Sequence, residues 1–159
     1  MHATPTPSLN TRLAPADDRG GPRSELFFEG HATGAWVGGA VLEAAYAWPG
    51  FWLLFMTDDL PFEDMLSIHL LDGQFALLDT ATLGAAYSTG SFSALPGSAP
   101  NEVRFRFIGD TDWTVQLLPR PVWRVPFFGE PRGVSRPPGL KRHFLIRGQP
   151  QAQVKSGRG

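Results

Sequence analysis

Cysteine is absent from the 159-residue chain, and this absence excludes disulfides, thiolate nucleophiles and thiolate metal ligands. It is usual for proteins of a reducing compartment. The N-terminal sequence MHATPTP has neither the basic nor the apolar region of a secretory signal peptide. The longest largely apolar run, residues 44–56, is interrupted by Pro49 and Gly50 and is shorter than the roughly 20 residues that a membrane-spanning helix needs. We therefore expect a cytoplasmic protein that does not cross a membrane.

The chain also lacks the motifs of nucleotide, metal and hydrolase sites. It contains no Gly-x-Gly-x-x-Gly, no P-loop and no Gly-x-Ser-x-Gly nucleophile motif. The four histidines are far apart in sequence, and the acidic residues near position 60 do not have the spacing of a calcium loop. We expect neither a metal nor a cofactor.

Positive charge is missing from one long segment. Residues 24–103 contain no Lys or Arg and ten acidic residues, whereas residues 104–159 contain eleven basic and three acidic residues. Two interpretations remain open. Acidic and basic strands pair across a sheet, or the arginines line a surface for an anionic ligand or an acidic protein or peptide.

The two ends of the chain have little apolar content to offset the entropy cost of ordering. Residues 1–23 contain four prolines and a Gly-Gly pair, and residues 148–159 are almost entirely polar or glycine. We expect two disordered tails, 1–23 and 148–159, around one β domain at 24–147, which is long enough to bury its own core.

Within residues 24–147 the hydrophobic spacing is close to two, which is typical of β-strands. A short helix is expected at residues 59–64, where acidic residues and a proline fit a helix N-terminus. The pattern predicts an all-β fold, an antiparallel meander of about eight strands that closes into a barrel or folds into a sandwich. The expected strands cover residues 26–28, 36–46, 51–57, 65–71, 74–83, 103–107, 113–117, 122–127 and 143–147.

Two hairpins stand out. Asp72-Gly73 supplies the residues that a tight primed turn with positive φ angles prefers. In the second hairpin, which joins residues 103–107 to residues 113–117, alternation predicts that Arg104 and Arg106 are exposed. It predicts that the opposite face is buried, and this face consists of Phe105, Phe107, Trp113, Val115 and Leu117. Because a stacking platform for single-stranded nucleic acid needs its aromatics and arginines on one face, we expect no nucleic-acid partner.

Gly34-Ala35-Trp36 and Thr111-Asp112-Trp113 lie about 80 residues apart and resemble the two short motifs of the lipocalins, Gly-x-Trp and Thr-Asp-Tyr. The resemblance implies an eight-stranded barrel from Gly34 to Arg147 with a cup for a small apolar molecule. It also implies that Arg142 packs against Trp36.

Polar residues in the apolar strands are the candidate catalytic groups. Asp79 lies in a predicted apolar layer, and Glu43 interrupts an apolar strand; a buried carboxylate with a raised pKa suits general acid and base chemistry. His69 lies on the opposite face of the same hairpin, beside Ser67, Thr80 and Thr82. Because the two faces of a hairpin point in opposite directions, only one of His69 and Asp79 can face a lumen. We favour His69, and we expect Asp79 to pair with an arginine of the basic half.

Three functions follow from this pattern. The first is a barrel that binds a small apolar or aromatic molecule, with Trp36, Ser67, Thr80, Thr82 and Trp113 as ligand-binding residues. The second is a cofactor-free isomerase, cyclase or lyase of a biosynthetic pathway that uses His69, Asp79 or Glu43. The third is a protein or peptide interaction module that uses the Arg-rich half; a homodimer is possible in each case. A filled interior favours the third function, whereas a cavity lined by His69 or Asp79 favours the others.

Overall fold

The computed structural model describes residues 4–15, 21–59, 65–84, 90–96, 99–108, 111–123, 130–137 and 141–148. The described residues form thirteen strands and no helix. Among them there is accordingly no helix of the length and apolarity that a membrane crossing requires. The all-β, antiparallel prediction is confirmed.

The strands are short and follow one another along the chain. Their bounds are β1 Thr4–Pro5, β2 Leu9–Leu13, β3 Arg23–Phe28, β4 His31–Gly38, β5 Val41–Trp48, β6 Phe51–Thr57, β7 Leu66–Asp72, β8 Leu77–Leu83, β9 Ser93–Leu95, β10 Glu102–Arg106, β11 Trp113–Trp123, β12 Val134–Ser135 and β13 Lys141–Arg147.

These strands form three antiparallel sheets. The central sheet has the order β1-β5-β6-β7-β8-β12, the four-stranded sheet has the order β13-β11-β10-β9, and the three-stranded sheet has the order β2-β3-β4. The described strands do not hydrogen-bond into one closed barrel, so the predicted closure is not confirmed.

The central sheet is the middle layer of the fold. One hydrophobic cluster joins it to the four-stranded sheet, with Phe55 and Ile68 meeting Phe105 and Phe144. A second cluster joins its other face to the three-stranded sheet, where Leu54 and Met56 belong to the same cluster as Leu26. Burial on both faces accounts for the continuous apolar run of β6, since a strand that is covered on both sides does not alternate.

A glycine corner divides the strand that was predicted over residues 36–46. Gly39 has a φ of +120°, and a Cβ at this position would lie 2.5 Å from the Cβ of Met56. The Ser24 hydroxyl donates a hydrogen bond to the Gly39 carbonyl oxygen at 2.8 Å. The prediction of one strand is therefore wrong: β4 lies in the three-stranded sheet and β5 in the central sheet.

The N-terminal segment differs from the expected disorder over residues 1–23. β2 pairs along its whole length with β3, and β1 pairs with β5. Leu9 is buried in the cluster beneath the three-stranded sheet. One buried leucine and a complete set of ladder hydrogen bonds order this polar strand, and neither contribution can be read from local composition. Residues 149–159 of the expected C-terminal tail lie outside the described residues.

The turn after Asp72 is longer than predicted. The positive φ belongs to Phe75, at 63°, and not to Gly73. The Asp72 carboxylate accepts hydrogen bonds from the backbone N–H groups of Gln74 and Ala76, at 2.8 and 2.9 Å. A register shift between Leu70 and Leu71 then places Leu77 opposite Leu71, on the other face of the hairpin from Asp79. Period-two alternation alone would place Leu77 and Asp79 on one face.

The hairpin of β10 and β11 has the predicted register. The buried side chains are Phe105, Phe107, Trp113 and Val115, with Leu117 half-buried. Arg106 is exposed and Arg104 is half-buried. Strand β6 has the predicted bounds. Residues 60–64 of the helix expected at 59–64, and residues 124–127 of the strand expected at 122–127, lie outside the described residues. Residues 122 and 123 belong to β11, which joins the strands expected at 113–117 and 122–127.

Candidate functional site

His69 lies between the central and three-stranded sheets and is 4% exposed. Its Nε2 lies 2.8 Å from the Gly38 carbonyl oxygen, so Nε2 carries the proton and donates it. Its Nδ1 lies 2.9 Å from the Thr80 hydroxyl, which then donates to it. Burial lowers the pKa of His69 below its ordinary value, which keeps the ring neutral. Both ring nitrogens therefore hold β7 to its neighbours β4 and β8.

Ser67 and Thr82 share the face of His69, as predicted. They lie directly opposite each other on β7 and β8, and both are half-buried. Thr82 also pairs with Ser135 of β12. These hydroxyl groups and His69 therefore form one polar strip on this face of the central sheet, with Thr80 engaged by His69.

Asp79 lies on the opposite face and points toward the four-stranded sheet. Its Oδ2 accepts a hydrogen bond from Arg136 Nη1 at 2.7 Å and another from the backbone N–H of His143 at 2.8 Å. Its Oδ1 accepts from the backbone N–H of Thr80. The predicted pairing of Asp79 with an arginine of the basic half is confirmed. We call the line where β8 and β13 meet through Asp79 the seam.

The charges continue beyond Asp79. The Arg136 side chain is 1% exposed, lies over the ring of Phe144 and donates to the Phe144 carbonyl oxygen at 2.6 Å. Its Nε lies 2.8 Å from Glu130 Oε1, and Nη2 of Arg142 lies 3.0 Å from the same oxygen. The contacts of Glu130 are close ion pairs without good hydrogen-bond geometry. Two arginines and two carboxylates thus form a buried ion cluster at the seam.

Glu43 and Trp113 occupy unrelated places. Glu43 is exposed at a register shift in β5, and it accepts a hydrogen bond from the Thr57 hydroxyl at 2.8 Å. Trp113 is 2% exposed in the core between the central and four-stranded sheets, and its indole Nε1 has no hydrogen-bond partner. The candidate catalytic residues His69, Asp79 and Glu43 are therefore not brought together.

Trp36 is the predicted ligand-binding residue that reaches the surface. It is 45% exposed on β4, directly opposite Glu25 of β3, which is in turn opposite Arg12 of β2. Because Ser24, Leu26 and Val37 point into the core, alternation places Arg12, Glu25 and Trp36 in one row on the outside of the three-stranded sheet.

A second aromatic ring stands beside this row. Phe27 points outward on β3, and the Arg12 guanidinium lies 4.8 Å from the centre of its ring. We call the surface formed by Arg12, Glu25, Phe27 and Trp36 the outer face. Sequence reasoning missed Arg12, Glu25 and Phe27, because Arg12 lies in a segment expected to be disordered. The available signal was the spacing of Leu9, Thr11 and Leu13, which fits a short strand.

Surface arginines of the basic half have partners of their own. The Asp112 carboxylate accepts a hydrogen bond from Arg106 Nε at 2.6 Å and another from Arg104 Nη2 at 3.3 Å. The hydrogen bond from Arg106 holds the pKa of Asp112 below its ordinary value. Together with the ion cluster, this pairing takes four arginines out of the proposed anionic-ligand surface.

No family model, no curated protein and no solved structure matches this chain.

Proposed function

We propose that the chain is a binding module without catalytic activity, and that it docks a protein or peptide partner on the outer face. The observation that carries this proposal is the exposure of Trp36 in one row with Glu25 and Arg12, next to Phe27. Tryptophan and arginine are the residues most often found at the centres of protein interfaces, where they supply large contact area and directed hydrogen bonds.

The interior supports binding over catalysis. General acid and base groups need a polar atom that can reach a substrate. The ring nitrogens of His69 and the carboxylate of Asp79 are engaged within the protein. Side chains from two sheets pack together in each core layer. Because these polar groups of His69 and Asp79 are engaged within the protein, we favour the interaction module among the three functions that the sequence suggests.

The shape of the outer face favours a macromolecular partner. Small molecules usually bind in concave pockets that enclose most of their surface, whereas a sheet exposes a broad and nearly flat surface. A partner segment that covers Trp36 would bring an apolar or aromatic group to its ring. It would place polar groups beside Glu25 and Arg12.

A specific observation favours small-molecule binding as a second candidate. The buried indole Nε1 of Trp113 has no partner, and a buried unsatisfied donor is uncommon in native structures. A neutral molecule with a hydrogen-bond acceptor in the core beside Trp113 would satisfy it. Native mass spectrometry of the purified chain tests this candidate, because a retained ligand adds its mass to 17.4 kDa.

The barrel-like arrangement is also a proposal. It is supported by the seam, where the His143 N–H bonds to the Asp79 side chain and Arg136 joins Asp79 to the Phe144 carbonyl oxygen. Side-chain hydrogen bonds would then close the central and four-stranded sheets on one side, in place of a backbone ladder.

Site-specific photocrosslinking tests the docking proposal. p-Benzoylphenylalanine placed at position 36 should form a defined product in the cell of origin. The same residue at position 77, where Leu77 is 53% exposed on β8, should not form that product. With the crosslinked protein purified, Trp36→Ala should weaken its binding by about 2 kcal/mol, or roughly 30-fold.

Leu77→Ala is the matched control for an exposed apolar side chain and should leave the affinity unchanged within about twofold. Equal crosslinking from positions 36 and 77 would contradict the proposal. So would an affinity that Trp36→Ala does not change.

A further inference from the structure

Positive charge is rare in the first 103 residues of the chain, and the structure places it at the outer face. This part of the chain contains three basic residues, and the two that the structure describes are Arg12 and Arg23. Arg12 belongs to the outer face. Arg23 borders it on β3, because Ser24 is buried and alternation directs Arg23 outward together with Glu25. Both described arginines of this part of the chain therefore lie near Trp36.

These two guanidinium groups are not paired with carboxylates of their own chain. Among the residues that the structure describes, Arg12, Arg23 and Glu25 form no ion pair. The guanidinium of Arg12 lies over the ring of Phe27, and Arg23 is exposed. By contrast, the two arginines of β10 share one aspartate. The outer face and its border therefore keep positive charge that a partner can contact.

The strand register determines the arrangement of these groups. Arg12 lies directly opposite Glu25, and Arg23 precedes Glu25 by two residues on the same side of β3. Arg12 and Arg23 are therefore diagonal neighbours, roughly 7–8 Å apart. Because arginine side chains are long, both guanidinium groups can reach one carboxylate that lies between them. Trp36 lies on the other side of Glu25, on β4.

We propose that the partner segment which docks on the outer face is an acidic peptide. It places a carboxylate between Arg12 and Arg23 and an apolar or aromatic side chain on the ring of Trp36. This inference rests on the proposed docking function and adds the chemistry of the partner. Arginine binds carboxylates by short and directional hydrogen bonds, whereas contact with the Trp36 ring supplies buried area. The segment carries the two groups within two strand spacings of each other, roughly 10 Å.

The charge of the surrounding chain favours the same orientation. Residues 24–103 contain ten acidic residues and no basic residue. An acidic segment is therefore repelled by most of this half of the molecule and attracted at Arg12 and Arg23. Complementary charge of this kind accelerates association and selects one register, more than it raises affinity.

Single-stranded nucleic acid is the other polyanion that binds to aromatic rings and arginines on one face. Glu25 opposes it, because this carboxylate lies between Arg12 and Trp36 in the row that a phosphate backbone would cross. A peptide places its carboxylates singly and can keep them away from Glu25. The charges of this face therefore fit an acidic peptide better than a nucleic acid.

The test uses the 159-residue chain and the purified protein that crosslinks from position 36. Arg12→Gln and Arg23→Gln should each weaken binding about threefold, chiefly by slower association, because each removes one exposed charge contact. Glu25→Gln should strengthen binding about twofold, because it removes a negative charge beside the two arginines. A gain in affinity cannot come from a loss of folded protein. Surface plasmon resonance measures these changes, and the affinity of the double variant Arg12→Gln with Arg23→Gln should depend less on salt than that of the wild type.

Arg120→Gln is the matched control, because Arg120 is exposed on β11 of the four-stranded sheet. It should leave the affinity unchanged. Weaker binding in Arg120→Gln but not in Arg12→Gln and Arg23→Gln would overturn the proposal by assigning the acidic segment to the basic half. Stronger binding in the two arginine variants with weaker binding in Glu25→Gln would also overturn it, since this is the pattern of a basic partner. A crosslinked product that nuclease removes would overturn it in favour of nucleic acid.

The docking function and the chemistry of the partner fail in different ways. If Trp36→Ala weakens binding while the variants of Arg12, Arg23 and Glu25 leave it unchanged, docking on the outer face stands and the acidic partner is wrong. If no product forms from position 36, or if Trp36→Ala leaves the affinity unchanged, the docking function is wrong and this inference is wrong with it.

Discussion

The two faces of the central sheet bury polar groups by different chemistry. Toward the four-stranded sheet, Asp79 is charged and meets Arg136, and further charges follow at Glu130 and Arg142. Toward the three-stranded sheet, His69 is neutral and is held by a carbonyl oxygen and a hydroxyl group. On the side of the four-stranded sheet, charge is buried because side chains from separate segments converge to compensate it. On the side of the three-stranded sheet, polar partners are few, and the buried ring is uncharged.

Among the variants that test this difference between the two faces, removal of Arg136 should lower the free energy of unfolding most. Arg136→Ala leaves the Asp79 carboxylate and the Phe144 carbonyl oxygen without their guanidinium donor. We expect the free energy of unfolding to fall by about 3–5 kcal/mol, as measured by urea denaturation.

Two variants separate this effect from a general loss of an ion pair. Arg106→Ala removes an exposed partner of Asp112 and should have a much smaller effect, because solvent screens that pair. The double variant Asp79→Leu with Arg136→Met should be more stable than Arg136→Ala, because it leaves no uncompensated charge. If Arg136→Ala and Arg106→Ala lowered the free energy of unfolding by the same small amount, the ion cluster would not stabilise the seam.

The partner of Asp79 could be predicted from the sequence, whereas the cluster around it could not. A carboxylate in an apolar layer needs compensation, and the only plentiful cations lie after residue 103. That reasoning identifies the basic half as the source of the partner. It does not select Arg136 or add Glu130 and Arg142, because their positions depend on how residues 130–137 return to the sheet.

The number of layers was the main feature of the fold that alternation did not reveal. Period-two patterns identify β10 and the first part of β11, because alternation reports which side chains share a face. The apolar run of β6 was the signal that both of its faces are covered. Without a third layer, the sequence predicts that the His69 face lines a lumen, whereas in the structure His69 on this face bonds to Gly38 of the three-stranded sheet.

The buried, neutral His69 predicts that the free energy of unfolding depends on pH. Burial lowers the pKa of His69 below 6.5, the value expected for the unfolded chain. The unfolded chain therefore binds a proton more readily than the folded protein does. The free energy of unfolding should be greatest above pH 6.5, and it should fall as the pH decreases from 6.5 through the lower pKa of the folded state.

His69→Leu tests this dependence, because it removes the titrating ring and retains an apolar side chain in the layer. Urea denaturation from about pH 8 to about pH 5 should show a shallower loss of stability in His69→Leu than in the wild type. His31→Gln is the control, since His31 is exposed at the start of β4 and its replacement should leave the pH dependence unchanged. If the free energy of unfolding depended on pH in the same way in His69→Leu and in the wild type, His69 would not be the source of this dependence.

The outer face was the least predictable part of the candidate site. The sequence predicts Trp36 as a ligand-binding residue of a barrel, with Arg142 packed against it. Its surroundings depend on β2, which local composition assigned to a tail. Exposure of a side chain is decided by which sheet lies outermost, and no pattern within β4 contains that information.

The smallest expected effect on stability belongs to Trp36 itself. Because nearly half of its surface is already exposed, Trp36→Ala should change the free energy of unfolding by no more than about 0.5 kcal/mol. Trp113→Ala, in the core between two sheets, should cost about 3–5 kcal/mol and serves as the contrasting variant. Acrylamide quenching of tryptophan fluorescence gives a second measurement, since loss of an exposed emitter should make the remaining fluorescence less accessible to the quencher. A large destabilisation by Trp36→Ala would mean that the residue holds the three-stranded sheet together. Its exposure would then be a consequence of packing at the edge strand and would give no support to a docking surface.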